Sequence, residues 1–461
     1  MTSTSGVDCL ADLVILGGGS GGYACALRAA QLGLSVIVVE KDKLGGTCLH
    51  RGCIPTKALL QAAEVADAAR DGHQFGVKTA LEGIDMGGVN KYKDGVVTKM
   101  YKGLQGLVSS RGIRYVEGTG RFVAPNAVDV DGQRYTGRNV VLATGSYAQS
   151  LPNQAIGDRF ITSDQALNLD YVPHRVVVLG GGVIGVEFAS VWRSFGAEVA
   201  IVEALPRLLP AEDEFSSQQL ERAFRRRGIS FKTGVKFTGA SQSSSGVTVN
   251  LESGEQLEAD LLLVAVGRGP NTADAGYSDS GVRMHRGFVL TDDRLRTNLP
   301  GVYALGDIVP GYQLAHRGFA QGIFLVEDIA GCNPAPVDED GIPRVTYCEP
   351  QVASVGLTET QAKDRYGEIQ TFTYDLAGNG RSQIPQTRGG ITLVRAQDGP
   401  IVGVHLVGDR VGELVGEGQL IVNWEAYPED VAALVHAHPT QNEALGEAHL
   451  ALAGKPLHAH G

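Results

Sequence analysis

Two stretches of the chain share one pattern, and this pattern decides the fold. Residues 13–41 read LVILGGGSGGYACALRAAQLGLSVIVVEK, and residues 176–204 read VVVLGGGVIGVEFASVWRSFGAEVAIVEA. They align without gaps at an offset of 163, and 11 of the 29 aligned positions are identical. In each, an apolar run leads into G-x-G-x-x-G, a helical pattern, a second apolar run and a glutamate. The order predicts a strand, a glycine turn, a helix and a strand, twice in one chain.

Each part of this pattern suits a dinucleotide. The first glycine makes the strand-to-helix turn, the second lets the backbone approach a pyrophosphate, and the third allows the helix to pack on the strand. Free N–H groups at the helix start favour the anion, and the final glutamate accepts hydrogen bonds from a ribose. One such motif is a weak signal, but two copies in the same context predict two dinucleotide sites. The motif residues are Gly17, Gly19, Gly22 and Glu40, then Gly180, Gly182, Gly185 and Glu203.

Glu203 bears on the choice of nicotinamide cofactor. A carboxylate at this place hydrogen-bonds the 2′-OH of NAD and repels the 2′-phosphate of NADP. Arg207 follows four residues later and is long enough to reach a phosphate. Pro206 and the apolar pair Leu208-Leu209 indicate that Arg207 leads away from the nucleotide site. The second site is therefore predicted to bind NAD.

Composition narrows the class of protein. The 461 residues include 62 glycines, which is about 13% against roughly 7% on average. The net charge of −11 argues against a general nucleic-acid or anionic-membrane surface. No uncharged apolar run reaches the length of a membrane span, and the N-terminus has no signal-peptide pattern. We expect a cytoplasmic protein that binds no nucleic acid, membrane or metal.

Two cysteines follow the first repeat closely, in the segment GGTCLHRGCIPTK at residues 45–57. A bridge between Cys48 and Cys53 would close too small a loop to be a useful staple, and the spacing is not that of a zinc site. A structural pair of buried thiols is the other alternative. A reversible disulfide is favoured, with a helix start and Arg51 predicted to lower the pKa of the thiol. Since a flavin can connect such a disulfide to NAD, we predict FAD and NAD as cofactors.

The segment GGTCLHRGCIPTK also resembles the active-site signature of the pyridine nucleotide-disulfide oxidoreductases. Further resemblances follow in family order at 265–271 (AVGRGPN), 297–307 (TNLPGVYALGD) and 438–443 (HPTQNE). The resemblance runs from about residue 13 to 450. It implies an α/β fold with two Rossmann-like dinucleotide-binding domains, a central domain and a C-terminal α+β dimerisation domain. The expected boundaries are 1–150 for FAD, 151–275 for NAD, 276–344 for the central domain and 345–461 for the interface domain.

The resemblance also implies catalytic roles. Cys48 would be the interchange thiol that attacks the substrate, and Cys53 the flavin-side thiol. His438 would take the proton from the dithiol substrate, and Glu443 would orient its imidazole. In relatives the His–Glu pair comes from the partner subunit, so a homodimer would be required for activity.

Further residues are assigned to cofactor binding by the same resemblance. Lys57 and Glu187 would pair beside the flavin ring, and Asp307 would hold the ribityl chain. Ala315, with His316, would line the flavin, while Gly120 and Val235 would offer backbone contacts to FAD and NAD respectively. The remaining assignments are Gly46, Thr47, Thr144, Gly145, Gly267 and Arg268.

The implied activity is oxidation of protein-bound dihydrolipoamide to lipoamide with reduction of NAD⁺. Electrons would pass through the Cys48–Cys53 disulfide and FAD, and the partner would be a separate lipoyl-bearing acyltransferase of a 2-oxo acid dehydrogenase complex or a similar lipoylated protein. The alternative is an NAD(P)H-dependent reductase of a low-molecular-weight disulfide of the mycothione or glutathione type. Such enzymes usually use NADP, which Glu203 disfavours. A non-catalytic flavoprotein is disfavoured by the intact Cys48, Cys53, His438 and Glu443.

Overall fold

The computed structural model describes residues 9–151 and 156–459. The chain divides into two compact units. The first unit comprises Met1–Ala58, Gly87–Gln149 and Arg268–Glu339. The second comprises Leu59–Met86, Ser150–Gly267 and Asp340–Gly461.

The described residues form thirteen α-helices and twenty-four β-strands. The helices are α1 (Ser20–Gln31), α2 (Gly46–Arg51), α3 (Cys53–Asp71), α4 (Met86–Ser110), α5 (Ser163–Ala166), α6 (Val183–Phe195), α7 (Glu214–Arg227), α8 (Ala315–Ile329), α9 (Glu359–Tyr366), α10 (Gly380–Gln383), α11 (Val411–Asn423), α12 (Pro428–Ala432) and α13 (Glu443–Leu452). The strands are β1 (Cys9–Leu16), β2 (Val36–Glu40), β3 (Arg114–Glu117), β4 (Gly120–Ala124), β5 (Ala127–Val130), β6 (Gln133–Leu142), β7 (Ser146–Ala148), β8 (Phe160–Ile161), β9 (Arg175–Leu179), β10 (Glu198–Glu203), β11 (Ser230–Thr233), β12 (Phe237–Gln242), β13 (Val247–Leu251), β14 (Gln256–Ala259), β15 (Leu261–Val264), β16 (Arg268–Pro270), β17 (Met284–His285), β18 (Phe288–Val289), β19 (Val302–Ala304), β20 (Arg344–Thr346), β21 (Gln351–Gly356), β22 (Ile369–Asp375), β23 (Gly390–Ala396) and β24 (Ile401–Gly408).

The first unit is built on a seven-stranded sheet with the order β3-β2-β1-β6-β5-β4, and β19 also pairs with β6. The strands around β1 are parallel, whereas β4, β5 and β6 pair antiparallel. Both faces of β1 are buried, because Leu13 and Ile15 join one apolar cluster while Val14 and Leu16 join another. This double burial is the reason that the strand is a continuous apolar run.

The second unit repeats the parallel part of this sheet. Its five-stranded sheet has the order β11-β10-β9-β15-β8, in which β9 takes the place of β1. Leu13 pairs with Val36 in the first unit, and Val176 pairs with Val199 in the second, so the register is the same at an offset of 163. The internal repeat of the sequence is therefore a repeat of structure, as predicted.

The third glycine of each motif is required by a close backbone contact. A Cβ at Gly22 would lie 1.9 Å from the carbonyl oxygen of Gly17, and a Cβ at Gly185 would lie 1.9 Å from that of Gly180. Any side chain here would push the helix away from the turn.

An antiparallel sheet also belongs to the second unit. Its five strands have the order β20-β21-β24-β23-β22. The helices α11 and α13 pack on it, and Leu406, Leu414 and Leu445 share its apolar core. The parallel strands of the first two sheets, with this C-terminal sheet, confirm the predicted fold class, while the four domain ranges stay predictions.

We expect Gly185→Ala to destabilise the fold. The added methyl group overpacks the turn at the carbonyl of Gly180, so the midpoint of thermal unfolding should fall by about 5 °C. Circular dichroism during heating measures this change.

Gly182→Ala is the matched control, because nothing in the chain lies within 4 Å of a Cβ at this position. Its midpoint should stay at the wild-type value. Equal midpoints for the two variants would contradict the steric argument.

Candidate functional site

The two cysteines of the site lie at adjacent helix ends. Cys48 is in α2, and Cys53 is the first residue of α3; both are half-buried thiols. The neighbouring Cys53 and burial raise the pKa of the Cys48 thiol, whereas the Ser20 hydroxyl and the charge of Lys57 act to lower it. Two sulfurs in contact share a proton and cannot both ionise easily, so they titrate as a coupled pair. The expected low thiol pKa is therefore wrong for the reduced pair.

The first glycine turn positions the start of α2. Gly45 and Gly46 both have positive φ, and the Gly45 N–H donates to the carbonyl oxygen of Gly18 over 2.8 Å. A Cβ at Gly46 would lie 2.7 Å from the Cα of Gly19. The redox pair is thus built directly against the turn that is predicted to hold FAD.

Tyr23, which the sequence did not single out, also faces the thiols. Burial, with the negative charges of Cys48 and Cys53, raises its pKa to about 12. The phenol therefore stays protonated near neutral pH. The sequence signal that could have identified Tyr23 is its place on α1, one helical turn after the glycine turn.

Arg51 has a carboxylate partner of its own. Its guanidinium forms an ion pair with Asp42, at 2.9 Å between Nη1 and Oδ2, and both side chains are largely exposed. Lys57 is a cation whose charge lowers the pKa of the Cys48 thiol. The pairing with Asp42 argues against an effect of Arg51 on the thiolate, and that effect stays a prediction.

The glutamates that end the two repeats make equivalent contacts. Glu40 accepts a hydrogen bond from the Gly18 N–H at 2.7 Å, and Glu203 accepts one from the Gly181 N–H at 2.6 Å. The second carboxylate oxygen of Glu203 accepts from the Leu205 N–H at 2.8 Å. Each carboxylate is thereby held beside its glycine turn, where a ribose is expected.

Both glycine turns fit a dinucleotide. The helices α1 and α6 begin at Gly19 and Gly182 without a side-chain cap and without an acidic residue in the first turn. A Cβ at Gly182 would meet no atom within 4 Å, and one at Gly19 would meet only the Cα of Gly46, at 3.9 Å. Unblocked N–H groups with open space above them are what a pyrophosphate needs.

Arg207 is directed away from the second turn, as predicted. Its Nη2 donates to the carbonyl oxygens of Pro210 and Glu212, at 3.2 and 3.1 Å. These bonds tie the guanidinium to its own loop.

A hydrogen-bonded group in the first unit joins three segments of the chain. Arg268 donates to the Ser146 hydroxyl at 2.7 Å, and this hydroxyl donates to Asp307 at 2.5 Å. The structure therefore brings the predicted residues Arg268 and Asp307 together, next to Thr144 and Gly145. Ser146 was missed, although it directly follows that Thr-Gly pair.

The other predicted cofactor residues are distributed over several elements. Gly120 begins β4, and Ala315 and His316 begin α8. Glu187 is buried and accepts a hydrogen bond from the Tyr347 N–H at 2.9 Å. The Thr47 hydroxyl donates to the carbonyl oxygen of Ser146, and the Val235 N–H donates to the carbonyl oxygen of Glu203. Gly267 has positive φ. The pairing of Lys57 with Glu187 stays a prediction.

The predicted acid–base pair is formed in the second unit. Nδ1 of His438 lies 2.7 Å from Oε1 of Glu443. The other oxygen of Glu443 accepts from the Thr440 N–H at 2.8 Å, and this N–H, followed by His438, holds the pKa of Glu443 below its usual value. The imidazole is 79% exposed, so its other nitrogen is open to a reactant.

Two nucleotide turns, one of them against a dithiol, define a class of protein: a flavoprotein that exchanges electrons between a pyridine nucleotide and a disulfide. Comparison with known families agrees with this class. Residues 11–322 match the pyridine nucleotide-disulphide oxidoreductase model, and residues 342–449 match the dimerisation domain of the same family. The chain belongs to the pyridine nucleotide-disulphide oxidoreductase family, and its dimerisation domain makes it a homodimer.

The similarity to individual relatives extends over nearly the whole chain. A dihydrolipoyl dehydrogenase of Bacillus subtilis is 37% identical, covering 97% of this chain and 99% of that protein. A mitochondrial dihydrolipoyl dehydrogenase of Pisum sativum is 38% identical over 97% of this chain and 92% of its own length. A leghemoglobin reductase of Vigna unguiculata is also 38% identical, over 97% and 88%.

Solved structures have the same architecture. LpdA from Mycobacterium tuberculosis superposes with a TM-score of 0.89 at 25% identity, covering 96% of this chain and 99% of that one. The flavoprotein disulfide reductase RclA from Escherichia coli gives a TM-score of 0.84 at 25% identity, over 95% and 99%.

We expect Lys57→Met to shift the thiol titration of the reduced enzyme to higher pH. The ammonium of Lys57 favours the Cys48 thiolate. Without this charge, the effects of Cys53 and burial raise the pKa of the thiol further. The pH dependence of iodoacetamide alkylation, followed by mass spectrometry of the Cys48 peptide, measures the shift.

Arg51→Ala is the control for this experiment. It removes a cation of the same segment that is paired with Asp42, so the alkylation profile should not move. A shift as large as that of Lys57→Met would show that Arg51 acts on the thiol after all.

Proposed function

We propose that this protein oxidises protein-bound dihydrolipoamide to lipoamide and reduces NAD⁺ to NADH. The observation that carries the proposal is the Cys48–Cys53 pair built against the first glycine turn. The near full-length similarity to proteins named dihydrolipoyl dehydrogenase supports the choice of substrate. FAD and NAD are the cofactors.

The thiols carry out the exchange with substrate. In the oxidised enzyme, one substrate sulfur attacks Cys48 and displaces Cys53, and the second substrate sulfur then attacks the first to release the cyclic disulfide. The two cysteines are left reduced. A flavin held at the first glycine turn, at Gly17, Gly19 and Gly22, would supply the transfer of this electron pair from the thiols to NAD⁺ as a hydride. The balance is one dithiol and one NAD⁺ converted to one disulfide, one NADH and one proton.

His438 accepts the proton that the substrate thiol loses. Its Nδ1 is engaged by the carboxylate of Glu443, so Nε2 is the nitrogen that faces the reactant. The nearby negative charge stabilises the imidazolium that forms. We infer that the pair serves the active site of the partner subunit; its exposed imidazole supports this, because a partner surface can cover it.

We infer a cytoplasmic enzyme whose partner is a lipoyl-bearing acyltransferase or a similar lipoylated protein. Among the described residues, no helix is both long enough and apolar enough to cross a bilayer. Six cysteines in 461 residues do not make the dense disulfide scaffold of a secreted domain, which supports a reducing compartment.

One assay tests the proposed function. Purified flavin-loaded dimer is given dihydrolipoamide with NAD⁺, and NADH formation is followed by absorbance, with NADH-dependent reduction of glutathione disulfide and mycothione measured in parallel. We expect the dihydrolipoamide reaction to dominate. Absence of this reaction together with rapid reduction of a small disulfide would replace the proposal by the alternative.

Cys48→Ser should lower kcat for dihydrolipoamide by roughly 10³-fold or more, because a hydroxyl cannot form the mixed disulfide. Cys332→Ser is the control, since that thiol is exposed and far along the chain from the site. It should keep wild-type activity. A Cys48→Ser enzyme with wild-type turnover would refute the disulfide mechanism.

The wild-type enzyme should prefer NAD⁺ over NADP⁺ by about 100-fold or more in kcat/KM, because a phosphate beside the Glu203 carboxylate is repelled. Arg207→Ala should leave this ratio unchanged, since the guanidinium is bound to the carbonyls of Pro210 and Glu212. Steady-state kinetics with both nucleotides give the ratio. A further loss of NADP⁺ activity in the variant would mean that Arg207 reaches the 2′-phosphate.

A further inference from the structure

Glu417 joins the two ends of the segment that carries the His438–Glu443 pair. It lies on α11, and its carboxylate is 25% exposed. Oε1 lies 2.8 Å from Nε2 of His436, and Oε2 accepts from the side-chain amide of Asn442 at 2.6 Å. Because an ionised carboxylate only accepts, the histidine nitrogen is the donor.

Both partners of Glu417 are next to the catalytic pair in sequence. His436 precedes His438 by two residues, and Asn442 directly precedes Glu443 at the start of α13. One side chain on α11 therefore holds a residue that precedes His438 and a residue that precedes Glu443. Because α11 and α13 pack on the same sheet, its position is set by the apolar core.

The packing of His436 leaves no alternative place for its ring. A Cβ at Gly446 would lie 2.7 Å from Nδ1 of His436, so the imidazole packs directly against α13. A glycine at this position in the helix is unfavourable by propensity alone, and the adjacent ring accounts for it.

The middle of the segment is held from another side. The side-chain amide of Asn379 donates to the carbonyl of Thr440 at 2.9 Å, and Gln441 donates to the Ser382 hydroxyl at 3.4 Å. These bonds hold Thr440 and Gln441, which lie between the two catalytic residues. They do not involve His436 or Asn442. The Thr440 hydroxyl holds the carbonyl of Ala437, at 2.7 Å, and Glu417 holds the side chains of His436 and Asn442.

We propose that Glu417 is a positioning residue for His438 and Glu443. The exposed imidazole of His438 has little packing of its own, so the backbone of residues 436–443 sets where it points. The inference rests on the proposed function, since it matters only if His438 handles the proton of the dithiol. Small displacements of a proton acceptor are costly, at roughly 10²-fold for about 1 Å.

The test compares Glu417→Ala and Glu417→Gln in the flavin-loaded dimer. The readouts are kcat and KM for dihydrolipoamide, the rate of NADH-dependent ferricyanide reduction, thermal unfolding and dimer state by sedimentation. Ferricyanide takes electrons from the flavin and requires neither the thiol exchange nor His438.

For Glu417→Ala we expect kcat with dihydrolipoamide to fall about 10- to 100-fold, while the ferricyanide rate and the dimer stay unchanged. Glu417→Gln should stay within about twofold of wild type, because its amide oxygen accepts from Asn442 and its NH₂ donates to the other tautomer of His436. Glu413→Ala, an exposed glutamate one turn earlier on α11, is the matched control and should behave as wild type.

His438→Ala separates this inference from the proposed function. If His438→Ala keeps wild-type turnover, the proposed role of His438 is wrong. If His438→Ala is inactive while Glu417→Ala keeps its kcat, the positioning role alone is wrong. Equal losses in Glu417→Ala and Glu417→Gln, or a matching loss of ferricyanide reduction or of the dimer, would also overturn it. The double variant Glu417→Ala/His438→Ala should lose no more than His438→Ala.

Discussion

The contact between the third and first glycines of each motif is the constraint on which the rest of the structure depends. The carbonyl of Gly17 lies where a Cβ of Gly22 would be, and the same holds for Gly180 and Gly185. This contact lets each helix begin directly above its sheet, with unblocked N–H groups aimed at open space. In the first unit the Cys48 helix is then built against the same turn. Dinucleotide binding and the placement of the thiols thus share one backbone geometry.

The electrostatics of the site follow from this placement. Burial against the turn makes charge on the thiols unfavourable, and the contact between the sulfurs adds to this, so Ser20 and Lys57 are needed to oppose both effects. The acid–base pair has the opposite environment, because His438 is exposed and Glu443 keeps its charge through the Thr440 N–H. In the proposed mechanism, the half-buried thiols handle the electrons and the exposed His438 accepts the proton.

Much of the fold could be predicted because its signals are local. Apolar runs, glycine spacing and the glutamates at strand ends are short-range features, and the pairing of Leu13 with Val36 recurs at Val176 with Val199. The sequence analysis missed Ser146, Tyr23 and Glu417. These residues act through neighbours that are distant in sequence or through a single polar contact, and the hydrophobic periodicity of a sequence does not reveal such contacts. The ion pair of Arg51 with Asp42 was missed for the same reason, since Asp42 lies nine residues away and only folding brings the two together.

The amino-acid sequence by itself determined the two nucleotide-binding repeats and the redox cysteines, because each requires particular residue types at short, fixed spacing. The His438–Glu443 pair was indicated by the resemblance to a family. Only the tertiary structure decided how these groups are supported. The charge around Cys48, the direction of Arg207 and the bonds of Glu417 to His436 and Asn442 depend on which side chains meet after the sheets have formed. Hydrogen bonds and ion pairs act over a few ångströms in space, whatever the separation along the chain.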